Sequence, residues 1–284
     1  MFQRRTSGSV VCPSCGSLVG VRDDKCYSCG RSNPGLWGYG PLIRKIGADF
    51  GFAPLVIGLC TVLYALTLLT SGRELQPIRG TFNILVPSSS ALLLFGMSGT
   101  VPVFRFGWWW TLLTASWLHG SLLHIVFNMY WVRILVPETV ELFGPARAVI
   151  IYVVAGACGF LLSCVGGLFP IPILGGAGYT LGASASILGL VGALVHYGSK
   201  SGSSLIRTEA TRLAIMFIVM GLIMSGTDNF AHVGGFAGGY GVSALLNPLA
   251  RERGDHMIAA AACVAATLLA LVYNVIHVLP LFLR

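Results

Sequence analysis

The chain has 284 residues, which is enough for one large domain or two small ones. Only 10% of the residues are charged, 55% are hydrophobic, and the mean hydropathy is +0.80. Soluble domains carry about 25% charged residues, so this composition excludes a soluble globular enzyme, as well as a disordered chain, a collagen and a coiled coil. The net charge of +8 does not indicate nucleic-acid binding, because the basic residues lie between apolar stretches. The composition predicts a multi-spanning membrane protein.

Residues 1–35 form a polar head that contains two CxxC-Gly turns separated by ten residues. Four thiolates in two such turns match the tetrahedral coordination of Zn²⁺, and the predicted ligands are Cys12, Cys15, Cys26 and Cys29. Disulfide bonds are the alternative, but the head is predicted to be cytoplasmic, where thiols stay reduced. A site with four cysteines leaves no open position for water. We therefore expect a structural Zn²⁺ and a head that docks an unidentified cytoplasmic partner or regulates the protein.

Apolar stretches free of charged residues follow the head, after a predicted linker at residues 36–50. A helix that spans a bilayer needs about 20 mostly apolar residues, so these stretches predict an all-α polytopic membrane protein. Six helices are expected within residues 51–250, and an additional C-terminal helix within 251–284. Residues 80–104 are interrupted by proline, serine and glycine, and they predict a loop dipped into the bilayer instead of a span. The seven predicted helices lie near residues 52–70, 111–135, 146–168, 182–199, 210–226, 230–248 and 256–281.

The distribution of basic residues predicts the orientation of these helices. With the N-terminus in the cytoplasm, fourteen of the eighteen Lys and Arg residues lie inside and four lie outside, as the positive-inside rule requires. The first residues read as polar sequence and not as a secretory signal peptide. We therefore expect a multi-pass integral membrane protein with its N-terminus in the cytoplasm and its C-terminus outside. The bacterial inner membrane is the favoured location.

Polar residues cluster at the beginnings of the second, fourth and sixth predicted helices. The clusters are His119-x4-His124-x3-Asn128, Gly182-x-Ser184 and Ala231-His232-x-Gly-Gly235-x3-Gly239. These three helices run in the same direction, so their beginnings share the outer leaflet. Small residues spaced by four allow two helix backbones to touch, which gives the proximity that a hydrogen bond between Ser184 and His232 requires. His124 and Asn128 lie on one helix face, where both can donate N–H groups to an anionic oxygen.

The three motifs, in this order, resemble those of the rhomboid family of intramembrane serine proteases, over about residues 50–250. A Glu141-x-x-Gly144-x-x-Arg147 step after the second helix is also similar to the family's sequence. The resemblance implies a six-helix catalytic core, with the additional helix completing a six-plus-one form. It implies a dyad in which Ser184 is the nucleophile and His232 the general base. His124, Asn128 and the Ser184 amide would hold the oxyanion, with Gly182 beside the serine and His119 in support.

The resemblance further implies that the chain cleaves peptide bonds in or near transmembrane segments of other membrane proteins, within the lipid bilayer and without a catalytic cofactor. The alternative is an inactive rhomboid-like protein that binds or escorts membrane clients. A transporter predicts internal repeats and charged residues at the middle of the membrane, and the sequence has neither. Asp228, with Asn229, is interpreted as the N-cap of the sixth helix and not as a third catalytic residue. Ser186 and His196 are interpreted as packing residues.

Overall fold

The computed structural model describes residues 6–12, 17–38, 51–78, 84–169, 176–224, 226–250 and 252–282. The chain forms two compact units, Met1–Leu55 and Val56–Arg284. Cys15 and most of the predicted linker lie outside the described residues.

The described part of the first unit is built on a short antiparallel hairpin. Strands β1 (Ser9–Val11) and β2 (Leu18–Gly20) pair with Val10 opposite Val19. A 3-10 turn follows at Leu36–Gly38. A small core of buried side chains holds these pieces together and consists of Val10, Cys12, Val19, Val21 and Cys26. Two cysteines are therefore part of the core of a unit that has few apolar side chains.

The second unit contains seven helices of 17 residues or more within the described part of the chain. These are α1 (Phe52–Ser71), α4 (Leu122–Phe143), α5 (Pro145–Gly166), α6 (Ser184–Ser201), α7 (Ser204–Ile223), α8 (Asn229–Leu245) and α9 (Gly254–Phe282). Between α1 and α4 lie strands β3 (Gln76–Ile78) and β4 (Ile84–Val86), the short helices α2 (Ser89–Leu94) and α3 (Thr111–Thr114), and a π-helix at Val101–Arg105. The predicted all-α polytopic architecture is confirmed.

Three described stretches are long and apolar enough to cross a membrane by length and composition alone. They are Phe52–Glu74, Pro145–Gly166 and Gly254–Leu281. The motifs of polar and small residues lie instead on α4, α6 and α8, which lowers the hydropathy of those helices. The most apolar helices are therefore not the ones that carry the predicted chemistry, and their length and composition are those of an integral membrane protein.

One predicted helix begins too early. The second helix was expected near residues 111–135, but α4 begins at Leu122, where the Ser121 hydroxyl caps the helix by accepting a hydrogen bond from the His124 amide at 3.3 Å. Residues 111–117 form α3 and a 3-10 turn instead. Apolar composition favours a helix at this position, and the buried contacts of Thr111 and Thr114 with the preceding loop override it.

Helix α6 is the centre of the bundle, because most of its side chains are buried and it packs against α4, α5, α7 and α8. The closest approach is to α8. A Cβ atom added to Gly235 would overlap the carbonyl oxygen of Ala185, and one added to Gly239 would overlap that of Gly189. The predicted close contact of the two helices through small residues is confirmed.

Arg147, the last residue of the Glu141-x-x-Gly144-x-x-Arg147 step, is 1% exposed and bonds to the connection between α8 and α9. Its guanidinium donates to the carbonyl oxygens of Ala250 at 2.8 Å and Asn247 at 3.3 Å, and to Nδ1 of His256 at 3.1 Å. Glu252 accepts from the Arg147 amide at 2.9 Å. The arginine therefore fixes the α8–α9 connection against the start of α5.

Helix α9 also contacts the region between α1 and α4 through Asn274, whose side chain is fully buried. Asn274 Oδ1 accepts from the Trp110 indole at 2.8 Å, and its Nδ2 donates to the carbonyl oxygens of Leu93 at 3.0 Å and Leu94 at 2.8 Å. The rings of Tyr273 and His277 pack edge-on against Trp110. One asparagine thus joins the additional helix to α2 and to the segment that leads into α3.

Candidate active site

Backbone hydrogen bonds hold in place the segment that leads into α6 and Ser184. Thr180 forms a two-way bridge with Ser98, with N–O distances of 2.8 and 3.1 Å. The Gly182 amide then donates to the carbonyl oxygen of Ala115 at 2.9 Å. Gly182 has a φ of +127°, which L side chains rarely adopt, so glycine is required at this turn. Ser184 follows as the first residue of α6.

Ser184 and His232 meet across the contact between α6 and α8. Nε2 of His232 lies 2.9 Å from Oγ of Ser184, which is hydrogen-bond distance. His232 is 5% exposed and sits in the first turn of α8, four residues after Asp228. This is the arrangement in which a histidine can remove the proton of a serine hydroxyl.

Asp228 is the N-cap of α8, as predicted. Its Oδ1 accepts from the Ala231 amide at 3.0 Å, and its Oδ2 accepts from the Ser163 hydroxyl on α5. Both oxygens are therefore engaged by groups other than the histidine ring. The carboxylate fixes the start of the helix that carries His232.

His124 approaches the serine from α4. The Gly120 amide donates to Nδ1 of His124 at 3.3 Å, so the neutral ring carries its proton on Nε2. Nε2 in turn lies 2.7 Å from the position that a Cβ on Gly182 would take. The N–H donor of His124 is therefore directed at the turn immediately before Ser184.

Asn128 and His119 lie beside His124. Asn128 is 1% exposed, and its Nδ2 donates to the carbonyl oxygen of His124 at 2.8 Å, one turn earlier on α4. The fully buried ring of His119 packs edge-on against that of His124, with centroids 5.1 Å apart. The structure thus brings all six residues predicted for the site to one end of the bundle.

A cavity of about 580 Å³ opens onto this group. Its polar lining includes Ser184, His232, His124 and Asn128. Its apolar lining includes Phe127 and Phe160, with Phe217 and Met220 on α7 and Met224 directly after it. The lining combines a small number of convergent polar groups with mainly apolar walls, as is typical of binding sites.

In the head, three of the four predicted metal ligands come together. The sulfur atoms of Cys12, Cys26 and Cys29 all lie within 4.8 Å of one another, and those of Cys12 and Cys29 are 3.8 Å apart. Sulfur atoms bound at about 2.3 Å to a tetrahedral Zn²⁺ are separated by about 3.8 Å, so this donor set fits the ion. Cys15 lies outside the described residues.

Sequence reasoning missed two residues of the site. Ala115 anchors Gly182 through its backbone oxygen, which no residue pattern reveals. Asn229 was assigned with Asp228 to the cap of α8, whereas its buried side chain points at Gly221 on α7. The position of Asn229 three residues before His232 was the available signal, since residues i and i+3 share a helix face.

Comparison with known proteins gives one family. The sequence profile described as "Rhomboid domain" matches residues 107–249. Rhomboid protease GluP of Bacillus subtilis is 30% identical over 182 residues, which are 63% of this chain and 34% of that protein. RHOMBOID-like protein 7 of Arabidopsis thaliana is 34% identical over 168 residues, 57% of this chain and 51% of the relative.

A third relative carries a different description. Inactive RHOMBOID-like protein 8 of Arabidopsis thaliana is 30% identical over 132 residues, which cover 45% of this chain and 35% of the relative. The chain thus spans about half or less of the length of these three relatives.

Proposed function

The chain belongs to the rhomboid family, whose profile covers half of it, and on this premise we propose that it is an intramembrane serine protease. It hydrolyses peptide bonds in or near the transmembrane segments of other membrane proteins, with Ser184 and His232 as a catalytic dyad. The observation that carries this proposal is the 2.9 Å contact between Nε2 of His232 and Oγ of Ser184 at the edge of a 580 Å³ cavity.

The first half of the reaction forms an acyl-enzyme. His232 Nε2 removes the proton of Ser184, and Oγ attacks the carbonyl carbon of the substrate to form a tetrahedral intermediate. The imidazolium then gives its proton to the leaving amine as the C–N bond breaks. In the second half, His232 removes a proton from water, and the hydroxide attacks the acyl carbon to form a second tetrahedral intermediate. The C–Oγ bond then breaks as the imidazolium returns its proton to Ser184, which releases the acid product.

The negative charge of the tetrahedral intermediate needs donors that are already in place. His124 supplies its Nε2–H next to Gly182, and the Ser184 amide is one of the unpaired N–H groups in the first turn of α6. Asn128 lines the same cavity, and its Nδ2 keeps one N–H besides the one that it donates to the carbonyl oxygen of His124. His119 supports the His124 ring from behind.

A fluorophosphonate probe tests this proposal on the purified full-length protein in liposomes, together with cleavage of a generic transmembrane substrate. Wild type is expected to be labelled and to cleave, and Ser184→Ala to do neither. Ser186→Ala is the matched control, because Ser186 is a fully buried serine two residues away that bonds to Ser116 at 3.2 Å. Labelling that survives in Ser184→Ala contradicts the dyad. Folded wild type that binds the substrate without cleaving it favours a binding or escort protein.

The proposed orientation places the head on the cytoplasmic side of a bacterial inner membrane, with the site near the outer face. Single cysteines at the exposed positions Arg207 and Arg105 report on opposite sides. In intact cells, an impermeant thiol reagent is expected to label the cysteine at 105 and not the one at 207. The reverse pattern overturns the orientation.

For the head, we propose a structural Zn²⁺ held by Cys12, Cys15, Cys26 and Cys29. Buried Cys12 and Cys26 belong to the small core of this unit, so the ion would add stability that its few apolar side chains do not supply. Metal analysis of the purified chain is expected to give one zinc per molecule in wild type and in Cys263→Ser, and almost none in Cys26→Ser. Wild type without zinc contradicts the proposal.

A further inference from the structure

The dyad leaves one ring atom of His232 unexplained. If Nε2 accepts the proton of Ser184, the neutral ring must carry its own proton on Nδ1. Nδ1 is fully buried and has no hydrogen-bond partner within the described residues. A buried N–H donor without an acceptor is costly, and the ring would avoid that cost by moving its proton to Nε2. In that tautomer the histidine cannot act as a base towards Ser184.

An acceptor without a partner lies beside this donor. Oδ1 of Asn229 is also fully buried and also has no hydrogen-bond partner among the described residues. Asn229 precedes His232 by three residues on α8, so both side chains lie on one helix face. A donor and an acceptor that both need a partner thus occupy neighbouring positions.

Both atoms converge on Gly221 of α7. Oδ1 of Asn229 and Nδ1 of His232 each lie within 3.4 Å of the point where a Cβ on Gly221 would stand. The amide is oriented by its other end, because Nδ2 of Asn229 donates to the carbonyl oxygen of Gly221 at 3.2 Å. With Nδ2 held in this way, Oδ1 is the end of the amide that is left without a partner on the same side of α7 as the imidazole Nδ1.

Asp228 does not take this role. Its two carboxylate oxygens accept from Ala231 and Ser163, so it caps α8 and binds α5. Among the described residues, His124 on α4 is the other titratable group that interacts with His232. On α7, Gly221 lies against the ring and does not titrate.

Oδ1 of Asn229 and Nδ1 of His232 make no hydrogen bond to each other in this structure. We infer that Asn229 is a positioning residue: its Oδ1 accepts the Nδ1 proton of His232 when the ring bears it, and thereby keeps Nε2 free to accept the proton of Ser184. This inference rests on the proposed function of the dyad. Asn229 does not touch the substrate, so its substitution changes the rate of the chemical step and leaves substrate binding unchanged. Gly221 provides the space in which the two groups meet.

Three variants of the full-length protein test the inference. Asn229→Leu removes both the acceptor and the donor, and we expect kcat to fall about 10- to 100-fold with KM within about 2-fold, the effect of one unsatisfied buried donor. Asn229→Asp keeps an acceptor but loses the donor to Gly221. It is expected to regain most of the lost kcat, and the acid limb of its pH–rate profile moves to higher pH, because a carboxylate favours the imidazolium. Ser243→Ala, which loses one buried hydrogen bond on the same helix, is expected to keep the wild-type kcat.

The outcomes separate a positioning role from a structural one. If Asn229→Asp is as impaired as Asn229→Leu, the bond to Gly221 is what matters and the inference is wrong. The inference is also wrong if Asn229→Leu keeps the wild-type kcat. If wild type itself is inactive, the proposed function fails, but ¹⁵N NMR of the histidine rings still decides the tautomer. The proton of His232 is expected on Nδ1 in wild type and distributed between both nitrogens in Asn229→Leu, and equal spectra overturn the inference.

Discussion

Helices α6 and α8 are joined by two serine–histidine pairs, one at each end of their contact. At one end Ser184 of α6 meets His232 of α8 at 2.9 Å, and at the other His196 of α6 meets Ser243 of α8 at 2.8 Å. The serine of the first pair lies on α6 and its histidine on α8, whereas the histidine of the second pair lies on α6 and its serine on α8. Ser184 and His196 are twelve residues apart, about 18 Å along the helix axis. Two serine–histidine hydrogen bonds of similar length therefore occur within one helix pair, through Nε2 of His232 in the first and Nδ1 of His196 in the second.

The surroundings of the two pairs differ. Ser184 lines the cavity together with His124, and the turn at Gly182 exposes the first amides of α6 beside it. Ser243 is fully buried, neither it nor His196 is among the described residues that line that cavity, and the ring of Tyr240 packs edge-on against His196 with centroids 5.1 Å apart. A serine bonded to a histidine is thus a helix-joining contact by default. It becomes a candidate for catalysis only with a cavity and with donors for an oxyanion.

The largest expected effect separates the two pairs directly. His232→Ala is expected to lower cleavage at least about 1000-fold, because the serine loses its base. His196→Ala is expected to leave cleavage within about 3-fold and to lower the melting temperature by a few degrees, as the loss of one buried hydrogen bond does. The rate of cleavage in liposomes and a thermal melt of each variant check this. Comparable loss of cleavage in both would mean that the pairs share a structural role.

The second test breaks the contact on which both pairs depend. In Gly235→Ala the new methyl group overlaps the Ala185 carbonyl, so α6 and α8 must separate and activity is expected to fall to background. Gly241→Ala is the matched control on the same helix, because a Cβ there meets nothing within 4 Å. Its activity is expected to equal that of wild type. A tolerant Gly235→Ala would show that the serine–histidine distance does not depend on close helix packing.

The third test removes a donor for the oxyanion, which the pair of His196 and Ser243 does not have beside it. His124→Ala deletes the Nε2–H donor next to Gly182, and kcat is expected to fall about 100-fold with little change in KM, as with other oxyanion donors. Labelling by a fluorophosphonate, whose reaction also develops charge on oxygen, is expected to slow in parallel. His119→Leu preserves the packing against His124 and serves as the comparison. If kcat is unchanged in His124→Ala, the Ser184 amide and Asn128 alone hold the oxyanion.

Residues that carry chemistry were predictable from the sequence because their types and spacings are restrictive. Ser184, His232, His124 and Asn128 were each named from motifs, and the structure places all of them around one cavity. Asn229 was not named as a site residue, because its position at the start of α8 agreed with an assignment to the helix cap. Only the orphaned Oδ1, which faces a glycine of another helix, distinguishes it.

The helices were predictable from apolar length, but their beginnings depend on single polar side chains. α7 was expected from residue 210 and begins at Ser204, because the Ser203 hydroxyl accepts from the Ile206 amide. Arg207 and Glu209 are charged, which is compatible with the end of a helix at a membrane surface. A prediction based on uncharged stretches leaves both residues out of the helix and therefore begins it too late. Residues 111–118 are mainly apolar and mostly buried, so composition alone does not distinguish them from the helix that follows.

The smallest expected effect concerns the contact between α9 and the loop that leads to the site. Asn274 of α9 bonds to Trp110, Leu93 and Leu94, in the loop that reaches the site through Ser98 and Ala115. Asn274→Leu leaves these three groups unsatisfied, and we expect the melting temperature to fall by several degrees and kcat by about 2- to 5-fold. Leu269→Ala, at a position that is 70% exposed on the same helix, is expected to change neither. Unchanged stability in Asn274→Leu would mean that the rings of Tyr273 and His277 hold the loop without the amide, and α9 would then matter to the site through packing alone.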